Sequence, residues 1–120
     1  MDNNPTNRQD YVRKVLAAYC QTPGIAGRVH PQDRLFAVQL HHRGIPLTVV
    51  ENAIILAAVR RLYRDPAAPP LSPVRCLIYF QPLIEEVLAT TVSQRYYEYL
   101  RAKVDNFEQF KQRYLQSRSS

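Results

Sequence analysis

Two adjacent histidines are the residues whose types most suggest chemistry in this chain. They lie in the stretch LHHRGIPL, residues 40–47, directly before a glycine and a proline. Imidazole is a common metal ligand and the usual proton carrier near neutral pH. Successive residues of a helix point about 100° apart, so the rings of His41 and His42 do not face a single metal ion. The predicted role is the last turn of a helix, where positive charge interacts favourably with the helix dipole.

Other groupings that could support catalysis are weak. Cys20 and Cys76 match no zinc spacing, and we predict them to be reduced, buried residues within helices. Three glycines are too few for a phosphate-binding loop. The acidic pairs Glu85–Glu86 and Asp105–Glu108 are typical of solvated helix faces. The sequence therefore predicts no enzyme, no metal, no cofactor and no small-molecule substrate, and a histidine-based nuclease or metal protein is the weakest of three functional hypotheses.

The charge balance indicates a different class of partner. The chain has a net charge of +6 and a pI near 9.6, and arginine supplies most of its sixteen basic residues. Guanidinium groups bind phosphate through two hydrogen bonds and stack on bases, and the eight tyrosines add further stacking surfaces. This composition favours nucleic acid as the partner, DNA over RNA, although arginine-rich composition can also be genomic in origin and a purely protein-directed adaptor is the open alternative.

The location follows from what the chain lacks. No apolar run reaches the roughly 20 residues that span a bilayer. The N-terminal residues 1–5 are polar and have no signal-peptide layout. We therefore expect a cytoplasmic protein without a membrane partner.

Apolar periodicity predicts an all-α bundle of about five helices, the last of which is long and able to project from the body. The first helix runs from about Asn7 to the breaker at 21–24, and the second opens at His30-Pro31, buries Leu35 among others, and ends at Gly44. The third helix, 46–63, is apolar all round at 53–59 and is predicted to be central.

The second half of the chain is divided by prolines. Residues 65–70 form a proline-rich connector, and Ser72-Pro73 is predicted to open the next helix, with a kink or break at about Gln81 because Pro82 follows. Ser93 caps the last helix. The predicted layout is a flexible N-terminus (1–6), a helical core domain (7–92), a basic amphipathic C-terminal helix (93–116) and a disordered tail (117–120).

Two sets of candidate binding residues follow from this layout. The last helix interleaves cations with tyrosines, a pattern suited to single strands, where phosphates meet cations and bases stack on rings. Its apolar positions form a short heptad stripe that could dock onto a partner or a second copy. The predicted nucleic-acid-binding residues are Arg28, Arg34, Arg43, Arg60, Arg61, Arg64, Arg95, Tyr96, Tyr99, Arg101, Lys103 and Arg113, and the predicted partner-binding residues are Tyr97, Leu100, Val104, Phe107 and Tyr114.

The order of helix signals resembles a known family. Residues 28–34 (RVHPQDR) lead one helix, 44–50 (GIPLTVV) open an apolar helix that ends in Arg60-Arg61, and 73–80 (PVRCLIYF) lead another. This order, over residues 10–90, resembles the DnaD-like helical domain of bacterial and phage replication proteins. The resemblance implies DNA binding in origin remodelling or helicase loading, with an aromatic single-strand-binding segment that matches residues 96–100 here.

Three functional hypotheses result. The first is a non-enzymatic nucleic-acid-binding accessory protein in DNA replication or mobile-element processing, which binds phosphate through arginine and unpaired bases through tyrosine. The second is a small helical adaptor subunit of a larger nucleoprotein complex, such as an RNA-guided effector or a transposition machine, that acts mainly through protein–protein contacts. The third is the histidine-based enzyme or metal protein described above.

Overall fold

In the described part of the chain, five α-helices and one short 3-10 helix form the fold, which is all-α as predicted. The computed structural model describes residues 5–65, 67–107, 109 and 113. In chain order the helices are α1 (Pro5–Cys20), α2 (Pro31–His42), α3 (Leu47–Leu62), the 3-10 helix (Leu77–Phe80), α4 (Gln81–Ala89) and α5 (Gln94–Asp105). Helix α1 begins two residues before its predicted start.

Helix α3 is the central element, which confirms its predicted place. Its residues 53–58 are all buried, and α1, α4 and α5 pack directly against it. The helices that surround it contribute side chains from one stripe each, such as Val15 from α1, Ile84 from α4 and Leu100 from α5. A helix that is apolar on every side gains most from such complete coverage, because each covered side removes apolar surface from water.

The α2–α3 joint is the glycine–proline turn that the sequence predicts. Gly44 has φ +76°, a conformation that costs a side-chain-bearing residue energy and glycine very little. The Ile45 N–H donates to the Leu40 carbonyl at 3.1 Å, so the turn closes on the end of α2. The Tyr11 hydroxyl then donates to the Ile45 carbonyl at 2.8 Å, which fastens the joint to α1.

The predicted helix start at Ser72-Pro73 is wrong. Val74 instead forms an isolated parallel bridge with Ile25: its N–H donates to the Gly24 carbonyl at 2.9 Å, and its carbonyl accepts from Ala26 at 2.8 Å. Because these backbone groups are used between segments, helical structure starts only at Leu77. The predicted break at Gln81 is confirmed, since the 3-10 helix gives way there to α4 and Pro82 lies in the first turn of α4.

Three burial predictions are also wrong. Leu35 is 57% exposed, because α2 turns Phe36, Ala37 and Leu40 toward the core and position 35 lies on another side. Cys20 is exposed at the end of α1, and Cys76 is half-buried outside any helix. A period of 3.6 residues fixes which positions share a face, but it does not tell which face meets the core at a helix end.

Helix α5 packs against α3 instead of projecting from the body. It ends at Asp105, and Asn106 follows in a turn. Residues 107, 109 and 113 are helical as well. The other parts of the predicted 93–116 helix beyond 107, the tail 117–120, and residues 1–4 of the predicted N-terminal segment lie outside the described residues.

Asp33 is the one buried charged side chain within the described parts of the chain, at 2% exposure. One carboxylate oxygen accepts from the backbone N–H of His30, the N-cap residue of α2, at 2.9 Å. The other accepts from the backbone N–H of Leu77, the first residue of the 3-10 helix, at 2.9 Å. A single carboxylate therefore satisfies backbone donors at the starts of two helices, the second of which begins 44 residues after Asp33.

Replacing Asp33 tests this double cap. Asp33→Ala removes two charge-assisted hydrogen bonds and leaves buried N–H groups without an acceptor, so we expect the free energy of unfolding to fall by about 3 kcal/mol. Asp33→Asn keeps one acceptor oxygen and should lose less. The measurement is urea unfolding followed by circular dichroism. The matched control is Asp105→Ala, at an exposed position, which should change stability by less than about 0.5 kcal/mol; equal losses in both variants would contradict the role of Asp33.

Tyr19 lies fully buried next to this contact, with its ring edge-on to Phe80 at 6.0 Å between centroids. Its hydroxyl has no hydrogen-bond partner among the described residues. Burial, and then the negative charge of Asp33, raise the pKa of Tyr19 from 10.0 to about 12. The phenol is held neutral, and its hydroxyl makes an unfavourable contribution to folding.

Tyr19→Phe should therefore stabilise the protein, by about 1 kcal/mol below pH 10. As the pH rises from 10 toward 12, the unfolded chain ionises Tyr19 while the folded chain does not, so the wild type loses stability in that window and the variant loses less. Urea unfolding at pH values below and within the window measures both effects. Tyr99→Phe, at an exposed ring, is the control; a destabilised Tyr19→Phe protein would show that the hydroxyl has a partner in solution.

Candidate nucleic-acid interface

The predicted phosphate-binding arginines divide into an occupied and a free group. Arg43 forms an ion pair with Glu85 at 3.1 Å, and Arg60 forms two hydrogen bonds with Glu86 at 2.6 and 3.0 Å. Arg64 donates to the Pro69 carbonyl at 2.8 Å within the proline-rich connector. These side chains already have oxygen acceptors within the chain. A phosphate would have to displace those oxygen atoms before it could bind the arginines.

Arg61 is occupied most completely. Its guanidinium donates to the Ser72 carbonyl at 2.7 Å and to the Tyr79 hydroxyl at 3.3 Å, and it lies 5.7 Å from the centre of the Tyr79 ring. A Cβ added at Gly24 would approach its Nε at 3.4 Å, and that Nε is buried with no partner among the described residues. Arg61 thus joins α3 to Ser72 and to Tyr79 of the 3-10 helix, and its half-buried side chain lies next to Gly24.

The free group consists of exposed arginines that form no ion pair within the described chain. Arg34 lines a groove between α1 and α2 with Arg13, whereas Arg101 lines a groove where α1, α3 and α5 meet, together with Lys14. Arg8 and Arg75 belong to the same group although the sequence analysis did not select them, because an isolated arginine carries no pattern signal. The predicted members of the group are Arg28, Arg34, Arg95 and Arg101.

Tyr99, Lys103 and Arg113, predicted as nucleic-acid-binding residues, meet at one cavity of about 360 Å³. The Tyr99 ring is 57% exposed, and the ammonium of Lys103 lies 5.7 Å from its centre. Tyr63, at the end of α3, also lines this cavity. Its ring centre lies 4.6 Å from the Lys103 ammonium, and its hydroxyl donates to the Lys103 carbonyl at 2.9 Å. We call these four residues the α5 pocket.

Sequence reasoning missed Tyr63, which comes from a different helix. Its position directly before a proline-rich connector suggests only a helix end. Its place opposite α5 depends on how α3 and α5 pack, and no periodic pattern encodes that distance.

The first residue of α5 lies at the second turn of α3, where the Asn52 side-chain amide donates to the Gln94 side-chain carbonyl at 2.9 Å. Tyr96 is 45% exposed, and its ring meets that of Tyr97 edge-on at 5.7 Å. The hydrogen bonds that Arg60 donates to the Glu86 carboxylate raise the pKa of Arg60. Because α5 packs against α3, the α3 and α5 candidates lie on neighbouring helices.

The predicted partner-binding stripe is used largely within the chain. Tyr97 and Leu100 are 6% and 4% exposed and belong to the core cluster, whereas Val104 and Phe107 are half-buried. Phe107 packs edge-on against Tyr63 at 5.4 Å. Tyr114 lies outside the described residues. The first half of the stripe therefore holds α5 on α3.

The two adjacent histidines, His41 and His42, lie in different environments. His41 is half-buried with its ring edge-on to Tyr11 at 5.0 Å, and His42 is exposed in the last turn of α2. Across the described residues, no group of three histidine, cysteine, aspartate or glutamate side chains could hold a metal ion. The pair marks the end of a helix, as predicted.

Comparisons with known proteins add no relative: no family model matches the chain, and no curated protein or solved structure matches it significantly. Within the described residues, none of the helices has the length and apolar character needed to cross a membrane.

Stability measurements test whether the hydrogen bonds of Arg61 stabilise the fold, independently of any phosphate binding. Arg61→Ala leaves the Ser72 carbonyl and the Tyr79 hydroxyl without their donor, and we expect it to lower the free energy of unfolding by about 1 to 2 kcal/mol. Arg28→Ala, at an exposed arginine without an ion pair among the described residues, should change it by less than about 0.5 kcal/mol. Urea unfolding of both variants measures these changes in the free energy of unfolding. An Arg61→Ala protein as stable as the wild type would show that Arg61 does not stabilise the fold and is available for another role.

Proposed function

We propose that this protein is a non-enzymatic nucleic-acid-binding accessory protein that prefers single-stranded DNA and works in the cytoplasm. The observation that carries the proposal is the α5 pocket, in which the exposed ring of Tyr99 stands beside two cations, Lys103 and Arg113. Packing of an aromatic ring against the rest of the protein does not require cations around it. Packing alone therefore does not explain why Lys103 and Arg113 lie at the exposed ring of Tyr99. An unpaired base with its flanking phosphates does fit this chemistry.

The mechanism is stacking combined with charge neutralisation. A base stacks on Tyr99, and the neighbouring phosphates approach Lys103 and Arg113. The ring of Tyr63 holds Lys103 in place through its contact with the ammonium, so the cation is already oriented before a ligand arrives. Arg95, one turn before Tyr99 on the same helix, extends the positive surface beside the α5 pocket, and Arg101 adds positive charge in the groove where α1, α3 and α5 meet.

The biological setting is taken from the DnaD-like resemblance. It suggests an accessory role in DNA replication or mobile-element processing, with a protein partner or a second copy of the chain. The adaptor hypothesis is the alternative, and it has less support, because Tyr97 and Leu100 of the predicted docking stripe are buried in this chain's own core.

Anisotropy titration of a fluorescently labelled single-stranded oligonucleotide tests the proposal. We expect binding at low salt that weakens steeply between about 50 and 200 mM salt, and weaker binding to a blunt duplex of the same length. Tyr99→Leu should weaken single-strand binding about tenfold, since stacking contributes about 1 to 3 kcal/mol per base. Tyr99→Phe keeps the ring and serves as the matched control, with affinity close to the wild type.

A second measurement examines the charge component. Replacing Arg95 and Arg101 with alanine should reduce the slope of log affinity against log salt by about 1.4, or about 0.7 for each lost phosphate contact on a single strand. Absence of any binding at low salt would rule out the proposal and favour the adaptor. Equal binding by Tyr99→Leu and wild type would remove the α5 pocket from the site.

A further inference from the structure

Two neighbouring acids of α4 hold two of the arginines predicted to bind phosphate. Glu85 pairs with Arg43, at the end of α2, and Glu86 pairs with Arg60, in the last turn of α3. The two contacts come from consecutive residues of one helix, yet they reach arginines on two different elements. Helix α4 therefore places an acidic pair across basic positions that would otherwise face solvent.

The Glu86 contact has the geometry of a phosphate contact. Nη1 and Nη2 of Arg60 each donate to a separate carboxylate oxygen, at 3.0 and 2.6 Å. A guanidinium binds a phosphate through the same parallel pair of N–H donors, so carboxylate and phosphate compete for one position. This hydrogen bonding is the main reason that the pKa of Arg60 is raised and that of Glu86 is lowered.

The occupied arginine lies next to free binding groups. Arg60 lies in the last turn of α3, and α5, which carries the 45% exposed Tyr96, packs against α3. Arg95, the chain neighbour of Tyr96, is exposed and has no ion pair within the described residues. A strand that follows α5 would thus reach Arg60 and meet the Glu86 carboxylate already in the phosphate position.

The acids are held in place by the fold, whereas their contacts remain exchangeable. Ile84 and Val87 are buried and fix α4 against α3, so the carboxylates stay at the arginines as tethered competitors. All four charged side chains are between 41% and 54% exposed, and ion pairs this exposed are weak and screened by salt. The acidic pair can therefore be drawn away from the arginines without unfolding the helix.

We propose that Glu85 and Glu86 form an autoinhibitory acidic pair that keeps Arg43 and Arg60 from contacting phosphate until a partner draws the acidic pair away. The inference rests on the proposed function, whose regulation it describes. In the resting protein the affinity comes from the free cations and the α5 pocket alone. A partner that drew the acidic pair away, or bound to it, would add two phosphate contacts and tighten binding.

The test combines charge-neutral replacements in a cycle. Glu85→Gln/Glu86→Gln should tighten binding of a labelled single-stranded oligonucleotide about tenfold at low salt and steepen the salt slope by about 1.4, which corresponds to two new phosphate contacts. Adding Arg43→Gln/Arg60→Gln to that variant should remove both gains. The same arginine replacements in the wild type should leave the slope unchanged, because the arginines are masked there.

A control variant separates masking from net charge. Glu98→Gln/Asp105→Asn also removes two negative charges, at exposed residues of α5 that form no ion pair within the described chain. It should tighten binding through charge alone and leave the salt slope at the wild-type value. Circular dichroism and urea unfolding confirm that every variant is folded.

The outcomes distinguish the two proposals. Suppose that the wild type binds and that the slope of log affinity against log salt for Glu85→Gln/Glu86→Gln is no steeper than that of the control variant. The acidic pair then does not mask the arginines, and the proposed function stands. If Arg43→Gln/Arg60→Gln already lowers the slope in the wild type, the arginines contact phosphate in the resting protein and autoinhibition is overturned. If neither wild type nor variant binds, the proposed function fails and the autoinhibition with it.

Discussion

The buried carboxylate of Asp33 is the contact on which the arrangement of the helices depends. It accepts hydrogen bonds from the backbone N–H groups of His30 and of Leu77, which lies 44 residues after Asp33 in the sequence. A charge at 2% exposure is tolerable only because both oxygens receive hydrogen bonds. The contact fixes the 3-10 helix against the start of α2, and α4 continues directly from that 3-10 helix. The positions of Glu85 and Glu86 therefore depend on it indirectly.

A second constraint is the coverage of α3. Because residues 53–58 are buried on all sides, the helices around α3 must each give up one apolar stripe to cover it. In α5 that stripe includes Tyr97 and Leu100, and their burial leaves Tyr99 on an exposed side. The same packing brings Tyr63 to Lys103. The core thus decides which aromatic residues pack and which remain open to a ligand.

The distribution of charge follows from both constraints. A net charge of +6 describes the chain as a whole, but some of the arginines form contacts within the protein. Arg61 joins three segments, and Arg43 and Arg60 are paired with α4. The positive surface that solvent sees is therefore smaller than the sequence suggests, and it is concentrated on α5 and on the grooves beside α1.

The sequence by itself determined the helical class, the central place of α3, and the glycine–proline joint after His41 and His42, because periodicity, burial on all sides and positive φ at Gly44 are local properties. It also predicted Tyr99, Lys103 and Arg113 as binding residues of the last helix, among a larger set. Only the tertiary structure decided that Val74 pairs with Ile25 in place of opening a helix, that Tyr63 completes the α5 pocket, and that Glu86 occupies Arg60. Each of these contacts joins residues far apart in the chain, and their distance is set by helix packing, which no local pattern encodes.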